Sequence, residues 1–457
     1  MITFIVLIVG LVLVALMPVL GWYVVPIGIV LGFSPWIVQY PFWLLLWLIV
    51  TYPLIYPARI RLPGGLPDIA YERGIVAILV GIVLWQVVMS KESFPRVSRL
   101  AGAFFILYTL AVLAPILFGG LVAPNFSEFI EFVVLPFTLY WLTRYLVVTK
   151  QQIKWLLQSI ALVAVLICFT GLYERVLDLE ESPFQVSAHT EGGDTRYGGV
   201  PGGRAAGVLG NPAVYGAVMG MGALACFALV SNCRSFWQRL QVVLPAVLLM
   251  YGVYASFTRS AWLAVLSTLF LVQFFIKDLW KFTLPAFCVG TVVLIMSWGV
   301  LAEDETVKDR VLDQQNLTGR VERLTWCWNQ LLEKPITGWG MGATNHLMSQ
   351  EFQEAGFSTS HNTFMSLLLD GGPFLGVSFV ALLSSWVLQG LVFAQKQQNV
   401  GFTALAAAAL AGFVLIYAVS GMALELRYFG FLNSLLWMAG AGIERMTALS
   451  PDGPREA

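Results

Sequence analysis

The run IKWLLQSIALVAVLICFTGLYER, residues 153–175, decides the fold. It is apolar over the length that crosses a bilayer, which takes about 20 helical residues. Runs of the same kind recur near 36–56, 69–90, 99–121, 126–148, 207–231, 238–256, 258–276, 280–301, 373–394, 400–421 and 428–443. The first 33 residues add one span or a tight pair, because Pro18, Gly21 and Pro26 interrupt a stretch too long for one helix and short for two. The predicted fold class is therefore an all-α polytopic membrane protein with twelve to fourteen transmembrane helices. Composition agrees: 58% of the 457 residues are hydrophobic and 11% charged, against about 45–50% and 25% in soluble domains. The 26 basic and 26 acidic residues cancel, so no net field points to nucleic acid. Met1 to Trp22 lacks a basic start and a small-residue cleavage site, which reads as a retained membrane segment rather than a signal peptide. The five cysteines form no CxxC pair, which speaks against a disulfide framework or a zinc site.

Charge placement orients the spans. Lys91, Lys150, Lys154, Lys277, Lys281 and Lys396 share one set of short loops with Arg96, Arg99, Arg234 and Arg239. Lys and Arg concentrate in cytoplasmic loops, so this set marks the cytoplasmic face. Arg59 and Arg61 are the exception, since the scheme places them outside. The chain then divides into N-terminal spans over 1–175, a first outer loop over 176–206, central spans over 207–301, a large outer loop over 302–372, C-terminal spans over 373–443 and a cytoplasmic tail over 444–457. Both outer loops are polar and glycine-rich, and far longer than the turns opposite, which is where function is expected. In the second, Val321, Leu324, Trp328, Leu331 and Leu332 make an apolar face at helical spacing over Thr318–Glu333, with Pro335 as the stop. That pattern predicts an amphipathic helix lying on the membrane or capping the bundle.

Arginine distinguishes the outer loops, and its planar fork suits bidentate binding of phosphate or pyrophosphate. Arg196, Arg310 and Arg323 read as solvated loop charges. Arg204 lies in Gly202-Gly203-Arg204-Ala205-Ala206-Gly207, ahead of a span whose helix start adds a positive dipole end. Arg259 sits in the short turn Ser256-Phe257-Thr258-Arg259-Ser260. An ionisable residue held at the bilayer boundary is a site candidate, with snorkelling to headgroups as the plain alternative. Of three histidines, His189 and His346 are ordinary loop residues by context. His361 begins an apolar helix of about ten residues that breaks at Gly371-Gly372-Pro373, so it is a neutral-pH base at the same boundary. The acidic stretches Asp178-Leu179-Glu180-Glu181 and Glu303-Asp304-Glu305 read as solvated loop rather than as metal ligands.

Four pieces in this order, Arg204…Gly207…Asn211-Pro212, Ser256…Thr258-Arg259-Ser260, Gly319-Arg320…Trp326…Pro335…Gly338-Trp339-Gly340 and His361-Asn362…Gly371-Gly372…Gly376, resemble the O-antigen ligase and polymerase superfamily. The motifs cover roughly residues 200–380, and topology alone covers the remainder. Asp370 departs from the family pattern, which commonly has Glu or a small residue there, and is given no role. The resemblance implies a GT-C-like fold and a bacterial inner-membrane enzyme with its active site on the outer, periplasmic side. It implies a donor glycan on undecaprenyl pyrophosphate, bound by Arg204, Arg259 and Arg320, with His361 as the catalytic residue. Acceptors of the superfamily are lipid A-core, a second lipid-linked glycan or another hydroxyl. No cofactor or metal is expected, because guanidinium groups aimed at the departing phosphate supply charge worth about 3–4 kcal/mol per donor. The alternative is a transporter or flippase for lipid-linked glycans, which would place charges near the bilayer midplane and show internal repeats. The span centres are almost free of charge and no repeat is visible.

Overall fold

The computed structural model describes residues 38–55, 59–60, 69–90, 99–119, 129–177, 204–276, 315–352, 360–397 and 401–449. The N-terminal apolar run, the span near 280–301, both acidic stretches, Lys91, Lys277, Lys281, Arg61, Arg96, His189, Arg196, Arg310 and the end of the tail lie outside the described residues. The helices are α1 (Pro41–Ile55), α2 (Tyr71–Ser90), α3 (Arg99–Gly119), α4 (Leu135–Leu146, entered through a π turn at Ile130–Val134), α5 (Lys150–Val176), α6 (Pro212–Val230) and α7 (Phe236–Ala255). They continue with α8 (Arg259–Phe275), α9 (Gln315–Glu333), α10 (Ala343–Glu351), α11 (Thr363–Lys396), α12 (Phe402–Gly421) and α13 (Gly430–Ala448). The protein is an all-α polytopic membrane protein. Among the described residues, α2, α5, α6, α7, α11 and α12 are long and apolar enough to cross a membrane, and α1, α8 and the first part of α3 are shorter apolar helices. One feature departs from the all-helical expectation: a two-residue antiparallel pair sets β1 (Arg59–Ile60) against β2 (Ile69–Ala70).

Local chemistry sets the helix starts. Thr149 Oγ1 accepts from Gln152 N at 3.2 Å while Gln152 Oε1 accepts from Thr149 N at 2.9 Å, a capping box that opens α5. Ser235 and Gln238 repeat it at α7. Asn211 caps α6 by accepting from Ala213 N and Val214 N, with Pro212 at the first helical position where no N–H is needed.

The helices α6 and α12 are buried on most of their residues and form the centre, with α5, α7, α8 and α11 around them. At the periphery α2 exposes Leu84, Trp85 and Val88, and α7 exposes Trp237, Leu244 and Val247. Such faces suit lipid, which is as apolar as they are. Between helices in lipid, close packing of small residues replaces the hydrophobic drive. Gly216 and Gly220 lie one turn apart on α6. A Cβ on the first would stand 2.6 Å from Ala261 Cβ, and on the second 2.4 Å from Val265 Cγ2, so only glycine lets α8 come this close.

The span near 373–394 is part of a longer helix. The break expected at Gly371-Gly372 is present inside α11, where Gly371 (φ −130°, ψ 16°) and Gly372 (φ 69°, ψ −174°) leave the helical region. Breaking a helix strands its last carbonyls, and here the 338–340 segment satisfies them. Trp339 N donates to Leu369 O at 2.8 Å and Gly340 N to Asp370 O at 2.9 Å. The two backbones interlock tightly, since a Cβ on Gly372 would stand 2.1 Å from Ile336 O and one on Gly338 2.6 Å from Leu369 O. The separated motifs Gly338-Trp339-Gly340 and Gly371-Gly372 are thus two halves of one joint.

Candidate functional site

The C-terminal end of α5, the N-terminal ends of α6 and α8, and the N-terminal half of α11 meet at one end of the bundle. Leading into α6, the segment 204–208 lies between α5 and the 255–258 turn. Glu174 on the last turn of α5 is buried, and its Oε2 accepts from Ala206 N at 3.2 Å and Gly207 N at 2.7 Å. Thr170, one turn earlier, accepts from Val208 N at 3.3 Å. Gly207 is required here, because its φ is +55° and a Cβ would stand 2.4 Å from Thr170 Oγ1. On the other side Ala205 N donates to Ala255 O at 3.0 Å. The Arg204 side chain follows, with Nε donating to Ser256 O at 3.1 Å and Nη2 to Thr258 Oγ1 at 2.7 Å. Arg204 is therefore tied to the turn that ends in Arg259, the exposed first residue of α8.

His361 stands just before α11, whose cap is Asn362. Asn362 Oδ1 accepts from Phe364 N and Met365 N, both at 3.0 Å, and Nδ2 donates to Met422 O at 3.1 Å. Ser360 Oγ accepts from Asn362 N at 3.0 Å and bonds Ser366 Oγ at 2.6 Å. These bonds hold His361 in the left-handed region at φ 51°. Phe257, at φ 43° in the Arg204 turn, is the other non-glycine residue with positive φ among the described residues. Backbone in that region is strained for a side chain, persists only where neighbours impose it, and clusters at functional sites. The imidazole makes no hydrogen bond among the described residues, so Asn362 does not hold it.

The helix α9 closes the site. Burial first, then the charges of Arg323 and Arg320, push the His361 pKa down to about 3 from an ordinary 6.5. Partial withdrawal from water, then the charge of Arg259, lowers Arg320. The electrostatics thus link Arg259 to Arg320 and Arg320 to His361. Arg323 corrects the sequence expectation of a solvated loop charge: it is 6% exposed, and its Nε donates to Gly319 O at 3.0 Å. It sits one turn past Arg320 on the face turned toward the site. The apolar face expected on this helix is also divided. Leu331 is buried with Cys327 against Met348 and Leu369, while Val321, Trp328 and Leu332 are exposed.

A second group escaped the sequence reading. Asp370 is fully buried: Oδ1 accepts from Thr344 N at 3.0 Å and Thr344 Oγ1 at 2.7 Å, and Oδ2 accepts from Gly342 N at 3.2 Å and Arg427 Nη1 at 2.9 Å. Arg427 Nε also donates to Glu425 Oε1 at 2.8 Å. Burial pushes the Glu425 carboxyl up against the opposing pull of Arg427. The triad fastens the half-helix that follows His361 to α10 and to the α12–α13 connection. Arg427 lies 57 residues from Asp370, a separation that no local pattern reports.

Residues 244–380 match the family described as O-Antigen ligase. No curated protein matches the chain. The matched stretch holds Arg259, Arg320, Arg323, His361, Asp370 and both halves of the joint at Gly338–Gly340 and Gly371-Gly372, and it begins after Arg204. Over residues 244–380, which hold the second, third and fourth of the sequence motifs, the chain is similar to the O-antigen ligase family.

Proposed function

We propose that this protein transfers a glycan from undecaprenyl pyrophosphate to an acceptor hydroxyl at the outer face of the bacterial cytoplasmic membrane, without a metal ion. The observation that carries the reading is a run of linked groups: Arg204 is tied to the turn that ends in Arg259, the charge of Arg259 acts on Arg320, and the charges of Arg320 and Arg323 act on His361, which makes no hydrogen bond among the described residues. In glycosyl transfer the acceptor oxygen forms a bond to the anomeric carbon as the bond from that carbon to the phosphate oxygen breaks. The electron pair of the breaking bond goes to the pyrophosphate, so negative charge grows there. Fixed guanidinium groups stabilise it more in the transition state than in the bound donor. His361 takes the acceptor proton, and neutrality is what that role needs. The lipid tail suits a site at the end of a bundle of membrane spans. The acceptor is lipid A-core for a ligase, a second lipid-linked glycan for a polymerase, or another hydroxyl.

Transfer by purified protein in nanodiscs, from a lipid-linked donor to a supplied acceptor, tests the reading. Activity is expected to survive EDTA and to fall in Arg204→Ala and Arg259→Ala. A metal requirement, or normal transfer by both variants, would overturn it. Sidedness is tested separately by single cysteines at Lys150 and Ser349 in a background lacking native cysteines, labelled in cells with a permeable outer membrane and an intact inner one. An impermeant thiol reagent should label position 349 and spare 150, and the reverse would place the site in the cytoplasm.

A further inference from the structure

The last turn of α5 carries two charged side chains, Glu174 and Arg175. The Arg175 guanidinium carbon lies 4.5 Å from the centre of the Phe257 ring and 5.9 Å from that of Tyr254. Phe257 stands between Ser256 and Thr258, the two residues that bind the Arg204 guanidinium. The platform is firmly built. Phe257 is 2% exposed and held at positive φ, and Tyr254 stacks on Trp262 at 5.9 Å with the planes 10° apart. Trp262 is fixed in turn, its Nε1 donating to Val253 O at 2.9 Å.

Stacking uses the flat face of a guanidinium group and leaves its edge of N–H donors to bind something else. On Arg175 that edge is not used: Nη1 is buried and has no hydrogen-bond partner among the described residues. A buried donor without an acceptor is costly unless a ligand supplies one. The nearest charged neighbour in sequence, Glu174, has its Oε2 engaged by two backbone N–H groups. The chemistry that fits an arginine edge beside Arg204 and Arg259 is a phosphate oxygen.

We infer that Arg175 is a further anion-binding arginine of this site, held over the Phe257 ring so that its N–H edge takes a phosphate oxygen of the donor pyrophosphate. This rests on the proposed donor. A phospholipid headgroup offers the same chemistry, and the experiment separates the two. Inorganic pyrophosphate is the probe, and its affinity is measured by calorimetry in detergent without phospholipid, so that no turnover is needed. Arg175→Ala is expected to weaken it about tenfold, the size of one charge-assisted hydrogen bond. Arg175→Lys, which loses the fork, and Phe257→Leu, which keeps the arginine but removes its platform, should each weaken it several-fold. In the transfer assay the same variants should raise the donor KM with a smaller change in kcat. Wild-type affinity in Arg175→Ala, with weakened affinity in Arg204→Ala and Arg259→Ala, would overturn the inference and spare the proposed donor. Unchanged affinity in all three would overturn both. Should Arg175→Ala lose thermal stability only in nanodiscs containing phosphatidylglycerol while binding pyrophosphate normally, the ligand is a headgroup and the inference fails.

Discussion

The two ends of this bundle bury the same kinds of charged residue and use them differently. At the end away from His361, Glu444 of α13 accepts from Tyr140 Oη of α4 at 2.8 Å and Trp386 Nε1 of α11 at 3.0 Å, and pairs with Arg144. Arg445 Nε reaches Val147 O at 2.7 Å. Three helices are fastened there, behind Phe105, Trp386 and Trp437 packed against Tyr140. Opposite charges meet and cancel. At the other end Asp370 and Arg427 fasten the half-helix in the same way. Beyond them, charges of like sign stand close enough to shift each other, and a histidine stands in their field. Burying ionised groups is expensive in either place. A cancelled pair recovers that cost inside the protein, whereas like charges set near one another add repulsion, which a bound anion relieves. Burial of charge therefore marks a strut or a site, and the sign of the neighbours tells which.

The largest effect that would sharpen this contrast is on rate. Removing a general base costs about 10²–10⁴-fold, so His361→Ala should be nearly inactive in transfer while still binding pyrophosphate. His361→Gln should be equally poor, since glutamine keeps hydrogen-bonding capacity but is a weak base. A glutamine variant turning over near the wild-type rate would take His361 out of the chemistry and leave an electrostatic mechanism only. At the opposite end the effect should fall on stability. Leaving one member of a buried pair uncompensated costs about 3–5 kcal/mol, so Glu444→Ala should lower the unfolding temperature strongly while transfer per folded molecule stays close to wild type. A Glu444 variant that is stable but inactive would erase the distinction between the ends.

Arg259→Lys tests geometry beyond charge and should have a smaller effect. Lysine keeps the positive charge and loses the bidentate fork, so about a tenfold loss in kcat/KM is expected, equivalent to ~1.4 kcal/mol. Unchanged kcat/KM in both Arg259→Lys and Arg259→Ala would return Arg259 to headgroup snorkelling.

How much of this was legible in the sequence follows the same division. Span positions were readable because a bilayer demands long apolar runs, and the break at Gly371-Gly372 because two glycines before Pro373 cannot continue a helix. Arg204, Arg259 and His361 could be named because each stands where an apolar run begins. Arg323 could not, since loop residues and residues on a loop helix packed over a site have the same local sequence. Asp370 carries no local signal because its meaning lies in Arg427, and that pairing exists only after α11 and α12 have folded back. Arg175 has the sequence setting of the polar end of a span, and only the turn of Phe257 toward it gives it a surface to stack on.

The smallest expected effect is a displacement in pH, and it probes the like-charge field directly. His361 works as the neutral base. Its pKa in the free protein, about 3, lies below the ordinary 6.5, so the working form is complete at neutral pH and is lost only as pH falls through the lower value. For the donor, kcat/KM reports ionisations of the free enzyme, and kcat reports those of the bound complex. Bound pyrophosphate brings negative charge among the arginines whose positive charge depresses His361, so it should raise the histidine's pKa. The acid limb of kcat should accordingly lie at higher pH than the acid limb of kcat/KM, and both should lie below 6.5. His361→Gln should lose both limbs. Salt should bring the two limbs together, because screening weakens the arginine field and the donor's reply to it. A kcat/KM limb at the ordinary histidine value would mean that the arginines do not act on His361. Coincident limbs would mean that the pyrophosphate binds too far away to neutralise them.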